Sequence, residues 1–149
     1  MALLNLDDFK KRAEPNFYEP VIAEFKFLQE QYGFGLLGSA VAAESLLVYT
    51  LNNVSICVFH VFPEPPFLIL KKVDKNKSYK RKINMSIGSD AKDAVREMIL
   101  LRDKLTIDEW CNQFRAGIFN KLINTIIKEY SSLVKNNIQT IINGDFSKF

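Results

Sequence analysis

His60 has the clearest potential for catalysis in this sequence, since it is the single histidine of the chain. A histidine general base works beside a nucleophile or a carboxylate, and Cys57 or Glu44 would be its partner here. Residues three positions apart in a strand point to opposite faces, so Cys57 and His60 would need a bulge to meet. We therefore predict no catalytic residue, place His60 on the strand surface or facing a partner, and count it among the candidate partner-binding residues.

Metal and cofactor chemistry lack the residues they require. One histidine and two scattered cysteines, Cys57 and Cys111, supply no zinc ligand set, and we expect both thiols to be free. Gly33, Gly35 and Gly38 spell Gly-x-Gly-x-x-Gly, but a predicted helix precedes them and strands follow, whereas dinucleotide binding needs the reverse order. The sequence predicts a protein that is not an enzyme and takes no cofactor and no metal.

The segment 71–82, called the basic arm below, holds most of the positive charge. It has seven basic residues against one acidic, whereas residues 1–70 carry net −4 and residues 83–149 net +1. Three interpretations stay open: binding of nucleic acid, binding of an acidic protein surface, or a solvated hairpin whose lysines keep a sheet edge from pairing with other chains. Besides His60, the candidate partner-binding residues are Lys71, Lys72, Lys75, Lys77, Lys80, Arg81 and Lys82.

The hydrophobic patterns around these residues predict helices and strands that form an α+β fold in a single domain, 1–149. Helical spacing runs from Val21 to Tyr32 with Gly33 as its stop, after a lead-in over 1–20 that prolines interrupt. The glycine-rich stretch 33–38 is predicted to be a turn. Alternating patterns then predict an antiparallel meander of three to four strands at 46–51, 54–62, 67–73 and 79–85, with a hairpin tip at 74–77.

The C-terminal half is predicted to be helical and to pack on one face of the sheet. Ser89 or Asp90 would cap the first helix, and Thr106 with Glu109 has the spacing of a capping box before the next. A long apolar stripe over 114–141 ends at Asn143 and Gly144.

Composition fits an ordinary globular domain, with 149 residues of which 48% are hydrophobic. The longest apolar helix candidate carries four charged residues along its length, which argues against a membrane span. The first residues lack the basic flank and apolar core of a secretory signal, so we expect a cytoplasmic protein.

Residues 21–73 resemble a group of small bacterial proteins. The segment Phe25-x-Phe27-Leu28-x-x-x-Tyr32-Gly33-Phe34 is followed by Leu47-Val48-Tyr49-x-x-x-Asn53-Val54-x-Ile56-x-Val58. It is similar to immunity proteins of polymorphic and contact-dependent toxin systems, in which a helix leads into such a meander. The resemblance implies a cytoplasmic, non-enzymatic inhibitor that binds one cognate toxin domain, and it brings no catalytic residue.

The leading hypothesis is therefore an immunity protein, or antitoxin, whose partner is a toxin protein. The alternative is a nucleic-acid-binding accessory protein that uses the basic arm, and the third is a small hydrolase or transferase around His60 and Glu44. The apolar stripe or an uncovered strand would also support a homodimer.

Overall fold

The computed structural model describes residues 2–83 and 89–149. Its N-terminal helices are α1 (Leu6–Lys10), α2 (Pro15–Glu24) and α3 (Lys26–Tyr32). The strands are β1 (Gly35–Val41), β2 (Glu44–Leu51), β3 (Val54–Val61), β4 (Phe67–Asp74) and β5 (Lys77–Lys82). The C-terminal helices are α4 (Ser89–Lys104), α5 (Ile107–Arg115), α6 (Asn120–Asn136) and α7 (Ile138–Ile142).

The strands form one antiparallel sheet in the order β1-β2-β3-β4-β5, each joined to the next by a hairpin or short loop. The predicted α+β fold, with a meander between an N-terminal helix and C-terminal helices, is confirmed. The tip between β4 and β5 turns tightly because Lys75 and Asn76 both take positive φ, of 49° and 66°. Such a two-residue turn matches the twist of the strands it joins.

The predicted turn at 33–38 is wrong beyond Gly33. Gly33 does end α3, in the left-handed conformation at φ 76°. From Gly35 onward the chain is strand β1, which pairs along its length with β2 and adds a fifth strand to the sheet. Its edge is partly closed, because Leu4 exchanges two backbone hydrogen bonds with Gly38.

Strand β1 lacks the alternating apolar pattern of a strand because Gly38 occupies a position where an inward-facing apolar side chain is expected. An added Cβ would lie 2.6 Å from the Phe9 ring. The ring of Phe9, from α1, fills that space and is fully buried. Close approach of another element is a common reason for glycine inside a strand.

The helices differ from the prediction in their bounds. α2 begins at Pro15 and contains Pro20, so the lead-in is helical, and the break falls at Phe25. The predicted stripe over 114–141 is divided among α5, α6 and α7, with Gly117 at φ 82° between the first two. The capping box of Thr106 and Glu109 is confirmed, and so is the end at Gly144, which has φ 76°. The last predicted strand residues, 84 and 85, lie outside the described residues.

The helices pack against one side of the sheet, called the inner face. Strand residues on this side are fully buried together with aromatic and aliphatic side chains of the helices. The strand residues include Leu47, Tyr49, Ile56, Val58, Leu68 and Leu70, and the helix residues include Phe17, Phe25, Trp110, Ile123, Ile127 and Val134. Their continuous contact makes this face the main core of the protein.

Candidate functional site

The opposite side of the sheet, called the outer face, is apolar as well. A separate cluster of Leu46, Val48 and Cys57 lies there, with Phe59 and Ile69 half-buried against it. Only strand residues belong to this cluster in the part of the chain that the structure describes. Leu37, which pairs with Val48, is 43% exposed. The three cluster residues are only 2–9% exposed, so the accessible apolar surface of this face comes from Leu37, Phe59 and Ile69 around them. Apolar surface of this kind marks interaction sites in soluble proteins.

Two aromatic rings form the centre of the outer face beside its basic end. Phe59 and Phe67 are register partners on β3 and β4, and their rings stack with centroids 5.0 Å apart and planes 4° apart. The ammonium group of Lys82 lies 4.5 Å from the centroid of the Phe67 ring. This cation–π contact fixes a positive charge at the border of the apolar cluster.

Lys71 and Lys80 complete the basic end of the outer face. They pair directly across β4 and β5. The next pair on the same face is Ile69 with Lys82. Burial raises the pKa of the nearby Cys57 thiol to about 11, while the charges of Lys71 and Lys80 act in the opposite direction. Three lysines thus share one face with the apolar cluster.

The other residues of the basic arm lie elsewhere. Lys72 faces inward, donates to the carbonyl oxygen of Gly144 at 2.6 Å, and contacts the rings of Tyr79 and Phe146. Its charge holds the C-terminal segment on the domain. Lys75 lies at the hairpin tip, Lys77 begins β5, and Arg81 points to the inner side opposite Leu70. The predicted set is therefore divided between both faces and the tip.

The assignment of His60 to the strand surface is wrong. Its side chain lies on the inner face, is only 6% exposed, and stacks against Phe17 and Phe114 with ring centroids 5.4 Å and 5.0 Å away. Burial lowers the pKa of its imidazole to about 4, which keeps the ring neutral at pH 7. The residue lies among aromatic side chains because α2 and α5 cover this end of β3.

Cys57 and His60 do not come together as a nucleophile and a base. Cys57 belongs to the outer face and His60 to the inner face, as the alternation along β3 predicts. Both cysteines are free thiols, with Cys57 buried and Cys111 half-buried. Among residues 2–83 and 89–149, no three His, Cys, Asp or Glu side chains come together in a group that could hold a metal ion.

Sequence reasoning missed Leu37, Phe59, Phe67 and Ile69 as site residues. A signal for them exists in β2, where Leu46 and Val48 alternate with Leu47 and Tyr49, so both faces of a central strand are apolar. A strand in a sheet with helices on one side needs only one apolar face. The second apolar face of β2 is the outer face, which no described helix residue covers.

Within the described residues, no helix has both the length and the apolar character that crossing a membrane requires. No family model, curated protein or solved structure matches the chain.

Proposed function

We propose that the protein is a non-enzymatic immunity protein that binds and neutralises a cognate bacterial toxin domain through its outer face. The observation that carries this proposal is the apolar outer face, to which no described helix residue contributes and which Lys71, Lys80 and Lys82 border. The resemblance of residues 21–73 to immunity proteins supports the kind of partner. The proposed location, where such a toxin acts, is the cytoplasm.

The arrangement of the face fits a protein partner with an apolar patch and carboxylates beside it. Leu37, Phe59 and Phe67 offer apolar area that association would remove from water. Lys71 and Lys80 are like charges directly opposite one another, an arrangement that weakens the sheet by itself. Carboxylates of the partner would offset that repulsion and fix the orientation of the complex.

The test is co-expression with a toxin domain encoded beside this chain's gene, identified by its toxicity when expressed alone, with growth rescue and purified complex formation as readouts. We expect the wild-type chain to rescue growth and to form a stable complex. Leu37→Asp should lower the affinity at least about tenfold, because it places a charge beside Val48 in the apolar part of the proposed interface.

Leu100→Asp is the matched control. Leu100 is 50% exposed on α4, close to the 43% of Leu37, but lies away from the outer face. It should bind like the wild type. Failure of the wild-type chain to rescue growth or to form the complex contradicts the proposed function, and equal effects of the two substitutions contradict the choice of surface.

Nucleic-acid binding is the second candidate, and the neighbouring aromatic rings and lysines on an open sheet favour it. RNA-binding sheets stack bases on such rings. Here Phe59 stacks on Phe67 and the Lys82 ammonium group lies over the Phe67 ring, so the ring faces that a base would stack on are already in contact with other groups. Affinity for a single-stranded RNA would fall with salt with a slope of about −2 for three lysines. A gel shift with this slope, and no complex with the toxin, would favour this alternative.

A further inference from the structure

A cavity of about 410 Å³ lies on the helix-covered side of the sheet, away from the outer face. The hairpin between β1 and β2, the end of β3 and helix α5 enclose it. Its volume is within the range of about 300–1,000 Å³ that is typical of small-molecule sites. The described residues Arg12, Ala43, Ser45, His60, Trp110 and Arg115 contribute to its lining.

One wall of the cavity consists of planar rings in nearly parallel orientation. The rings of Trp110 and Phe114 have centroids 5.2 Å apart and planes 9° apart, and those of His60 and Phe114 are 5.0 Å and 15° apart. Phe62 meets Trp110 edge-on at 4.8 Å. Small residues, Ala40 and Ala43, stand on the hairpin side and leave the space open. A flat ring packs against such a wall in an offset-stacked or edge-to-face arrangement.

Two polar atoms in this wall have no partner within the protein. Nε2 of His60 and Nε1 of Trp110 are shielded from water and form no hydrogen bond. The two side chains are only 6% and 2% exposed, and their ring centroids are 6.0 Å apart. Indole N–H is a donor only, and buried donors in native proteins are almost always paired. The wall of the cavity therefore contains a donor, the indole N–H of Trp110, that the protein itself leaves unpaired.

The charges around the cavity favour an anion. Arg12 and Arg115 both line it, against a single carboxylate, that of Glu14. Glu14 lies 3.3 Å from Nε of Arg115, whereas Arg12 has no ion pair among the described residues. A guanidinium group binds a carboxylate through two parallel hydrogen bonds, which makes Arg12 the natural contact for an acid group.

We propose that this cavity is a binding site for a small planar carboxylate, an aromatic or heteroaromatic acid. Its ring packs on the aromatic wall beside Trp110, and its carboxylate binds Arg12. This inference is independent of the proposed toxin partner, because it uses the opposite side of the sheet.

Titration of the full chain with benzoate tests the proposal, with fluorescence of Trp110, the single tryptophan, as the readout. For a probe of this size we expect a saturable change with a Kd of about 1 mM or tighter. Arg12→Gln should weaken binding about tenfold, because it removes the charge that the carboxylate meets. Ala43→Phe should abolish binding by filling the cavity from an exposed position, with the melting temperature unchanged.

Arg96→Gln on α4 is the control for the loss of one positive charge, and it should leave the Kd unchanged. Benzamide, which has the shape of benzoate without its charge, should bind at least about tenfold more weakly. Absence of a saturable fluorescence change overturns the proposal. Binding that Arg12→Gln and Ala43→Phe leave unaffected, or equal binding of benzamide, overturns it as well.

Discussion

Lys71 and Lys80 face each other across the last two strands of the sheet, with no carboxylate among their register partners on that row. The row continues through Ser55 and Thr50, whose hydroxyl oxygens lie 3.2 Å apart. Like charges directly opposite in neighbouring strands destabilise a sheet. The free protein therefore holds an arrangement that an acidic partner would improve.

Lys80→Glu is expected to make the protein more stable but to weaken its binding to a partner. It converts the pair with Lys71 into one of opposite charge, which should raise the free energy of unfolding by about 0.5–1 kcal/mol. The gain should shrink in high salt, because the pair is open to solvent. Urea unfolding at low and high salt measures it.

The same substitution should weaken the proposed complex with a toxin domain, because it replaces a positive charge of the outer face by a negative one. Lys75→Glu changes the charge equally at the hairpin tip and should leave the complex intact. A Lys80→Glu chain that is less stable than the wild type would contradict the assignment of both lysines to one face.

Gly38→Ala should destabilise the protein through Phe9. The new Cβ would lie 2.6 Å and 2.8 Å from two atoms of the Phe9 ring, and crowding of this kind in a core costs about 1–3 kcal/mol. Gly35→Ala on the same strand is the control. Its nearest neighbour, the carbonyl oxygen of Thr50, is 3.9 Å away, so the change should stay within about 0.5 kcal/mol. Equal unfolding midpoints for the two variants would refute the packing of α1 on β1.

His60 should make the protein sensitive to acid. Its pKa is lowered by burial from 6.5 to about 4, so the unfolded chain binds a proton in this interval that the folded chain does not. Stability therefore falls as the pH falls from about 6.5 towards 4 and is unaffected above that interval. The loss amounts to about 3 kcal/mol near pH 4.

His60→Phe should remove this part of the pH dependence while it keeps a ring among Phe17 and Phe114. Carboxylates titrate in both proteins, so the difference between the two urea-unfolding curves isolates the imidazole. Parallel pH profiles for the wild type and the variant would show that His60 does not stay neutral in the folded protein.

The two thiols should differ in reactivity. Cys57 is 2% exposed and burial raises its pKa to about 11, so little thiolate is present near pH 8. Cys111 is half-buried. Alkylation followed by mass spectrometry should show modification of Cys111 in the native protein, and of Cys57 only after denaturation. Rapid labelling of Cys57 in the native protein would be inconsistent with the packing of the outer cluster.

Much of the fold follows from local patterns in the sequence. The hairpin after Leu51, the stop at Gly33 and the capping box at Thr106 depend on neighbouring residues alone, and the structure has all three. Strand β1 does not follow from such patterns, because Gly38 is placed there by the distant Phe9.

The candidate site was predictable in part. The charge of the basic arm is plain in the sequence, and alternation places Lys71 and Lys80 on one side of the sheet. The burial of His60 was not predictable, since it results from α2 and α5, which are far away along the chain. Which face of the sheet stays uncovered depends on where the helices pack. A strand that is apolar on both sides does not show which side the helices will cover.

The contact between Leu4 and Gly38 limits how copies of this chain can join through their sheets. One border of the sheet is blocked in its middle by Leu4, whereas β5 is exposed along its length. Among the described residues, a second copy therefore meets an uninterrupted border at β5 only. The bridge at Gly38 opposes strand addition at one border, and the four positive charges of β5 oppose it at the other.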